Sequence, residues 1–159
     1  MITVDDAKLI IDNYTHVKSV EKVDLDNAEN RVLSMDITAK ISSPLFDNSA
    51  MDGFAIKSSD LKGASKVNPA KLNLVSISSA GTPTKTILRS GECIQCMTGA
   101  QIPTGADSVV MVEQTSGFNN KKIVYFFSET VKGNHIRREG EEVKKGEHLI
   151  SKGTKITPS

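Results

Sequence analysis

The residues best suited to chemistry lie in one short polar stretch, FDNSAMDGF at residues 46–54. Asp47, Asn48 and Ser49 have short polar side chains that hydrogen-bond to nearby backbone, so they favour a turn. The Asp-Gly pair at residues 52–53 is a second turn signal, because glycine is free to adopt a positive φ. Two turns this close together would hold both aspartates on one loop, where ligand-binding groups commonly lie. The simpler interpretation is an Asx-turn followed by a hairpin turn.

Two further segments carry groups that suit anion or metal binding. Arg137 and Arg138 are candidates for binding an anion, and Glu141 or Glu142 for binding a hard metal ion. A solvated turn with balanced charges is the simpler interpretation of that segment. The Thr98-Gly-Ala turn could cradle an oxyanion through backbone N–H groups and a hydroxyl. Each of these signals is weak by itself.

The two cysteines, Cys93 and Cys96, form a C-x-x-C motif. They fall in a strand-like run, where residues three apart point to opposite faces of a sheet. There is no second C-x-x-C, and the three histidines are scattered rather than at ligand spacing. We therefore do not expect metal or redox chemistry at these thiols.

The elements that must position these residues begin with an amphipathic helix. Thr3 and Asp6 predict a capping box at its start. Apolar residues then recur at helical spacing from Val4 to Val17, which predicts an end near His16 or Val17. The apolar stripe needs a surface to pack on, either in a second copy of the chain or within its own subunit.

Most of the remaining chain has the alternation and turn punctuation of short strands. A meander of short strands is predicted for residues 136–156. The fold class is therefore mainly β with some α. The individual strands are predicted at residues 21–25, 54–56, 72–77, 93–97, 108–112 and 122–127.

The charge balance excludes several classes of function. The chain has 159 residues, with 20 basic against 19 acidic side chains and a net charge of +1. No strong field is available to attract nucleic acid or an anionic membrane. No apolar run approaches the roughly 18 residues of a membrane span, and the acidic N-terminus lacks the features of a signal peptide. We expect a cytoplasmic protein that binds neither nucleic acid nor membrane.

Considered together, the motifs are much more specific than any one of them. In order and spacing they resemble the N-terminal half of the MoeA family, the molybdopterin molybdenumtransferases, whose eukaryotic relatives include the gephyrin E domain. The resemblance extends from about Asp5 to Ser159. The motifs that carry it are FDNSAMDGF at 46–54, MTGA at 97–100, P at 103 with GAD at 105–107, VVM at 109–111, EQT at 113–115 and NHIRREGE at 134–141.

The resemblance implies an elongated, two-lobed architecture. Residues 1–44 and 138–159 would form the first lobe, for linkage and dimerisation, and residues 45–137 a β-rich lobe inserted into it. The family's α/β pterin-binding domain and C-terminal β-domain are absent from this sequence. The final Thr-Pro dipeptide is a common helix start, which indicates that a longer protein would continue here.

The resemblance also implies an activity. Members of the family insert molybdenum from molybdate into the dithiolene of molybdopterin, using an adenylylated pterin and a divalent cation such as Mg²⁺. They work as homodimers, and a molybdopterin adenylyltransferase is the expected partner that delivers the pterin. The alternatives are a non-catalytic dimerisation or partner-binding module and a truncated product.

Three positions match residues that the family associates with activity: Asp52, Thr98 and Glu142. The predicted catalytic residues are Asp52 and Thr98, and Asp52 is also the predicted metal ligand. At Glu142 the family usually has Asp, so this carboxylate is displaced by one methylene. The predicted substrate-binding residues are Asn48, Ser49, Arg137 and Glu142, of which the first two would also orient the loop.

Overall fold

The computed structural model describes residues 2–16, 19–119 and 122–158. The chain divides into two compact units, Met1–Thr38 with His148–Ser159, and Ala39–Glu147. Along the chain, the second unit is inserted within the first. The lobe boundaries given above, at residues 44/45 and 137/138, stay a prediction.

One α-helix and nine strands occur among the described residues, which confirms a mainly β fold with some α. None of the helices in that part of the chain is long and apolar enough to span a membrane. The elements are α1 (Val4–Tyr14), β1 (Ile37–Thr38), β2 (Asn48–Ser49), β3 (Gly53–Ile56), β4 (Ala70–Ser78), β5 (Glu92–Cys96), β6 (Ser108–Met111), β7 (Ile123–Phe126), β8 (Ile136–Arg137) and β9 (His148–Ile150).

Helix α1 begins with the predicted capping box. The backbone N–H of Asp6 donates to Thr3 Oγ1 at 3.1 Å, and the backbone N–H of Thr3 donates to Asp6 Oδ2 at 3.3 Å. These bonds satisfy two N–H groups that have no partner within the helix. The helix ends at Tyr14, two or three residues earlier than predicted. Val17, the last residue of the predicted stripe, lies outside the described residues.

The apolar stripe of α1 is exposed. No residue of the helix is buried, and its large apolar side chains are 48–83% accessible to solvent. A stripe of this kind stabilises a helix when it packs against another surface. The part of the chain that the structure describes does not supply that surface.

The rest of the first unit is largely irregular. β1 and β9 form a two-stranded antiparallel pair, and an isolated bridge joins Val32 to Lys155. Residues 21–25 do not form the predicted strand, and a short 3₁₀ helix occupies Leu25–Asn27. Alternation alone was misleading here, because a strand also needs a neighbour to accept its backbone hydrogen bonds.

The second unit is built on a five-stranded sheet in the order β6-β3-β5-β4-β7. β4 and β5 run parallel, and the other neighbours are antiparallel. Each strand overlaps one of those predicted between residues 54 and 127. β2 pairs with β8 in a separate short sheet.

Both faces of the five-stranded sheet are covered. Phe54 and Cys93 belong to one cluster of buried side chains, whereas Ala55 and Cys96 belong to another. Successive residues of a strand point to opposite faces, so the two clusters lie on opposite sides. This confirms that the two cysteines point away from each other.

The predicted C-terminal meander is wrong. Its strands do not pair with each other, because β8 pairs with β2 and β9 with β1. Both partners are distant in the sequence, since β1 and β2 precede β3. Residues 136–150 therefore return along the early segments, and β8 comes to lie beside the polar stretch at residues 46–54.

Candidate functional site

Asp52 and Thr98 meet at one end of the sheet. Asp52 comes directly before β3, and Thr98 follows β5 by two residues. β3 and β5 are antiparallel neighbours in which Gly53 lies opposite Cys96. The backbone N–H and the hydroxyl of Thr98 each donate to Asp52 Oδ1 at 2.8 Å. The structure thus brings the two predicted catalytic residues into direct contact.

These two bonds stabilise the charged form of Asp52. The backbone bond from Thr98 makes the larger contribution and the side-chain bond the smaller one, and together they hold the pKa of Asp52 below its ordinary value. The carboxylate is therefore ionised at neutral pH. Both residues are exposed, so this charge faces solvent.

The exposed face of the pair consists of hydrogen-bond acceptors. Oδ2 of Asp52 accepts no hydrogen bond from any described residue, and the hydroxyl proton of Thr98 is already given to Oδ1. What remains is a carboxylate oxygen and the lone pairs of a hydroxyl oxygen. Such a surface suits a cation or the N–H groups of a ligand, and it repels a bare oxyanion.

The predicted oxyanion cradle at residues 98–100 is wrong. The N–H of Thr98 donates to Asp52, and the N–H of Gly99 donates to the carbonyl of Ser49 at 2.9 Å. The N–H of Ala100 donates to the carbonyl three residues before it, at 2.9 Å. All three donors are used inside the protein, so none is free for an anion.

Gly53 has a different role from the one predicted. It lies in β3 and is not among the glycines with positive φ. A Cβ added there would lie 1.9 Å from the carbonyl oxygen of Val110 on the neighbouring strand. Glycine is needed next to Asp52 because β6 approaches too closely for any side chain.

Ser49 is completely buried beside the pair. Its backbone N–H donates to the carbonyl of Ala100 at 3.0 Å, and its hydroxyl donates to the carbonyl of Met51 at 2.6 Å. These contacts agree with the predicted role of Ser49 in orienting the loop. Binding of substrate by Ser49 stays a prediction, and the residue has no exposed surface with which to do so.

Asn48 is also buried, with 8% of its surface accessible. It lies in β2, opposite Arg137 of β8. Its Oδ1 atom is buried and accepts no hydrogen bond from the described residues. A buried amide oxygen of this kind is a natural acceptor for a water molecule or a ligand donor.

Arg137 and Glu142 form an ion pair with each other. Nη2 of Arg137 contacts Oε1 of Glu142, and Nε of Arg137 lies 3.4 Å from Oε1 of Glu141. The hydroxyl of Ser43 donates to the other oxygen of Glu142 at 2.9 Å. Two predicted substrate-binding residues therefore neutralise each other, and both oxygens of Glu142 are occupied.

A neighbouring ion pair was missed by the sequence reasoning. Nη1 of Arg138 lies 2.6 Å from Asp47 Oδ2, and the N–H of Glu139 donates to Asp47 Oδ1 at 2.9 Å. The bond from Glu139, aided by Arg138 and opposed by partial burial, lowers the pKa of Asp47. This clamp joins residues 91 positions apart, so local spacing carried no signal of it.

The metal-ligating side chains of the described ranges do not gather into a metal centre. Those ranges contain no cluster of three His, Cys, Asp or Glu side chains able to hold a metal ion. Cys93 and Cys96 are free and buried. Burial raises the pKa of Cys93 to about 12 and that of Cys96 to about 11, so both stay protonated and unreactive.

The predicted site residues are linked by one series of contacts within Ala39–Glu147. Glu142 pairs with Arg137, which lies opposite Asn48 in the β2–β8 ladder. Asn48 is followed by Ser49, which bonds to the segment that carries Thr98, the partner of Asp52. The class of site is therefore an ionised carboxylate fixed by a threonine at a sheet end.

This fold is shared with solved proteins of molybdopterin biosynthesis. The chain is similar to the molybdopterin biosynthesis moeA protein from Pyrococcus horikoshii OT3, with a TM-score of 0.87 and 36% sequence identity. The similarity covers 95% of this chain and 39% of that one. The match supports the mainly β fold with one helix described above.

The family model described as the MoeA N-terminal region (domain I and II) matches residues 2–159, and the chain belongs to this family. It is 37% identical to the molybdopterin molybdenumtransferase of Bacillus subtilis over 159 residues and 38% identical to that of Haemophilus influenzae over 160 residues. Each match covers 99% of this chain, but only 37% and 38% of the respective relative. The resemblance seen in the motifs is thereby confirmed.

Proposed function

We propose that this chain forms the N-terminal part of a molybdopterin molybdenumtransferase, which inserts molybdenum from molybdate into adenylylated molybdopterin. The proposal is supported above all by the Asp52–Thr98 pair, in which the Asp52 carboxylate is ionised and exposed. Both residues lie in motifs, at 46–54 and 97–100, that resemble those of the family. The names of the relatives support the class of reaction.

Asp52 is the candidate ligand for a divalent cation. Mg²⁺ keeps several of its waters and is usually held by one or two carboxylates together with substrate phosphates. A single exposed carboxylate with one unbonded oxygen fits that requirement, although the described residues provide no complete protein cage. When bound, Mg²⁺ would offset the negative charges of the pterin phosphates and of molybdate.

Thr98 keeps the carboxylate of Asp52 ionised and fixes one of its oxygens. Its two hydrogen bonds fix Oδ1 and leave Oδ2 without a donor among the described residues. Preorganised charge of this kind contributes most when the facing groups are equally fixed. Those facing groups would belong to the part of the enzyme that this chain does not cover. We therefore expect the chain alone to have no turnover.

Two partners and a compartment belong to the same proposal. The exposed apolar stripe of α1 supports a homodimer, because burying it against a second copy would remove apolar surface from water. A molybdopterin adenylyltransferase would deliver the pterin. A cytoplasmic location is part of the proposal, and the net charge of +1 provides no strong field to attract nucleic acid or an anionic membrane.

A non-catalytic module is the second candidate. The same exposed stripe is what a dimerisation or partner-binding module would present, and the chain spans under two fifths of its relatives. A truncated product belongs to the same alternative. In either case the Asp52–Thr98 pair would only stabilise a turn.

A chimeric enzyme separates the two candidates. In it, this chain replaces the matching 37% of the Bacillus subtilis relative, and molybdenum insertion into adenylylated molybdopterin is measured. The enzyme hypothesis expects turnover within about tenfold of the parent. A folded chimera that binds the pterin without turnover would favour the non-catalytic module.

A further inference from the structure

We propose that Ser49 is the positioning residue that holds Asp52 and Thr98 in register, an inference whose catalytic meaning rests on the proposed function. Ser49 touches neither solvent nor, by its burial, any substrate. It acts through the two residues that do face the ligand side. This assigns its side chain a task different from binding substrate.

Ser49 bonds to both segments that carry the pair. On one side its N–H donates to the carbonyl of Ala100 at 3.0 Å, and its own carbonyl accepts from Gly99 at 2.9 Å. On the other side its hydroxyl donates to the carbonyl of Met51 at 2.6 Å. The N–H of Met51 returns a longer bond to the same hydroxyl, at 3.4 Å. One residue thus ties together the positions adjacent to Thr98 and to Asp52.

The pair needs such a tie because both of its members are exposed. Asp52 and Thr98 make two bonds to each other, and a typical intramolecular hydrogen bond is worth only about 0.5–1.5 kcal/mol in net terms. Bonds this weak do not by themselves immobilise exposed loop residues. Ser49 is completely buried, so it can anchor the pair from inside the protein. Such an anchor matters because a small displacement of a catalytic group greatly lowers the reaction rate.

Ser49 is bonded to the buried core of the sheet. Its backbone N–H donates to the carbonyl of Ala100, a completely buried residue of the sheet core. Cys96 ends β5 and belongs to the buried cluster with Ala55, Ala100 and Val109. Ser49 therefore transmits the position of the sheet core to the exposed pair.

The test is a carboxyl titration of Asp52 by NMR in the chain of 159 residues. Wild type is compared with Ser49→Ala and with Thr98→Val, which removes the hydroxyl bond directly. We expect Ser49→Ala to raise the pKa of Asp52 toward its ordinary value, as Thr98→Val does. We also expect amide hydrogen exchange at Thr98 to become about tenfold faster in Ser49→Ala.

The matched control is Ser108→Ala. Ser108 is equally buried, and its hydroxyl shares one side-chain hydrogen bond of 3.1 Å with Thr130. It lies opposite Ile56, at the end of β3 away from Asp52. The control should leave the Asp52 titration and the Thr98 exchange unchanged.

An Asp52 pKa that stays at its wild-type value in Ser49→Ala, while Thr98→Val raises it, overturns the proposal. So does a shift of equal size in Ser108→Ala, because the effect would then be general loosening. If Ser49→Ala fails to fold, Ser49→Cys takes its place, because its thiol is of similar size but a much weaker donor, and the same rise in the Asp52 pKa is expected. Failure of both variants to fold would make Ser49 a folding residue and would also overturn the proposal. Since no turnover is measured, these results are independent of the chimeric enzyme.

Discussion

Two regions of the second unit carry the charges that suggested a binding site, and they differ in how those charges are used. At the Asp52–Thr98 pair, two neutral donors hold one carboxylate oxygen and the other accepts nothing from the described residues. At the Arg137–Glu142 pair, each charge has an opposite charge as its partner. Both regions looked alike in the sequence, as exposed polar turns.

The difference shows that a charged residue does not always present a net charge to a ligand. Neutral donors stabilise a carboxylate without cancelling its charge, so Asp52 still attracts a cation. An ion pair cancels the field that it would project, and exposed pairs contribute little to stability. We therefore expect changes at the first region to affect function most, and changes at the second region to affect it least.

The largest effect is expected for Asp52→Asn in the chimeric enzyme. The substitution removes the charge but keeps the size and the ability to accept from Thr98. We expect molybdenum insertion to fall by about a hundredfold or more, by analogy with the loss of one preorganised electrostatic group. The melting temperature should stay within a few degrees of the parent.

Asp60→Asn is the matched control for that experiment. Asp60 is also a carboxylate of the second unit, in the short 3₁₀ helix Ser58–Leu61, and it accepts from Ser90 and from the N–H of Gly91 at 2.7 and 2.9 Å. It should change stability more than turnover. If Asp52→Asn retained turnover and instead lost several degrees of melting temperature, Asp52 would be a turn residue.

A smaller loss of activity is expected for Thr98→Val. The backbone N–H of Thr98, the stronger of the two influences on the Asp52 carboxyl, is still present in this variant. We expect turnover to fall by about tenfold, and Thr98→Ser, which keeps the hydroxyl, to restore most of it. A loss of turnover in Thr98→Ser, with turnover retained in Thr98→Val, would mean that the threonine methyl group, rather than the hydroxyl, matters.

Asp47→Asn should change stability rather than turnover. It breaks the ion pair with Arg138 and weakens the bond from Glu139, both of which tie the start of β2 to residues 138–139. We expect a loss of about 1 kcal/mol in the free energy of unfolding, discounted for the half-exposed partners. Urea unfolding of the chain measures it. A turnover loss as large as that of Asp52→Asn would contradict the contrast between the two regions.

We also expect the effect of Asp47→Asn on the free energy of unfolding to depend on pH. The pKa of Asp47 is lower in the folded chain, so its stabilising contribution is complete above the ordinary aspartate pKa of 3.8. That contribution is lost as the pH falls through the depressed folded-state pKa. The difference in unfolding free energy between wild type and Asp47→Asn should therefore be constant near neutral pH and shrink below about pH 4. A difference that persisted at pH 2 would assign the effect to packing.

The smallest effect is expected for Glu142→Gln. The neutral side chain can still accept from Ser43 or Arg137, and both members of the ion pair are about half exposed. Turnover of the chimeric enzyme should change by less than about threefold, and stability by less than about 1 kcal/mol. A hundredfold loss of turnover would show that Glu142 meets the substrate directly, and the two regions would then be equivalent.

Local signals were sufficient for several elements. The capping box at Thr3 and Asp6 depends on residues three positions apart, and the structure contains it. The strand over Phe54–Ile56 and the opposite faces of Cys93 and Cys96 follow from the two-residue period of a strand. Interactions within a few residues are visible in a sequence, because chain connectivity already brings the partners together.

Local signals failed where the partner was distant. Residues 21–25 alternate as a strand does, but no neighbouring strand pairs with them in the described chain. The free N–H groups expected at residues 98–100 are used partly by Asp52 and Ser49, nearly fifty positions earlier. Gly53 is required by the approach of Val110 and not by its own turn.

The sequence alone determined the family, the mainly β class and the two residues, Asp52 and Thr98, that form the candidate site. Those conclusions rest on motif order and on short-range periodicity, both of which are visible in the sequence itself. Only the tertiary structure decided which charges are available. Asp47 meets Arg138 through the return of β8 along β2, and Glu142 is held between Arg137 and the distant Ser43. Hydrogen bonds and ion pairs act over a few ångströms in space, whatever the distance along the chain, and the availability of a charged group is decided there.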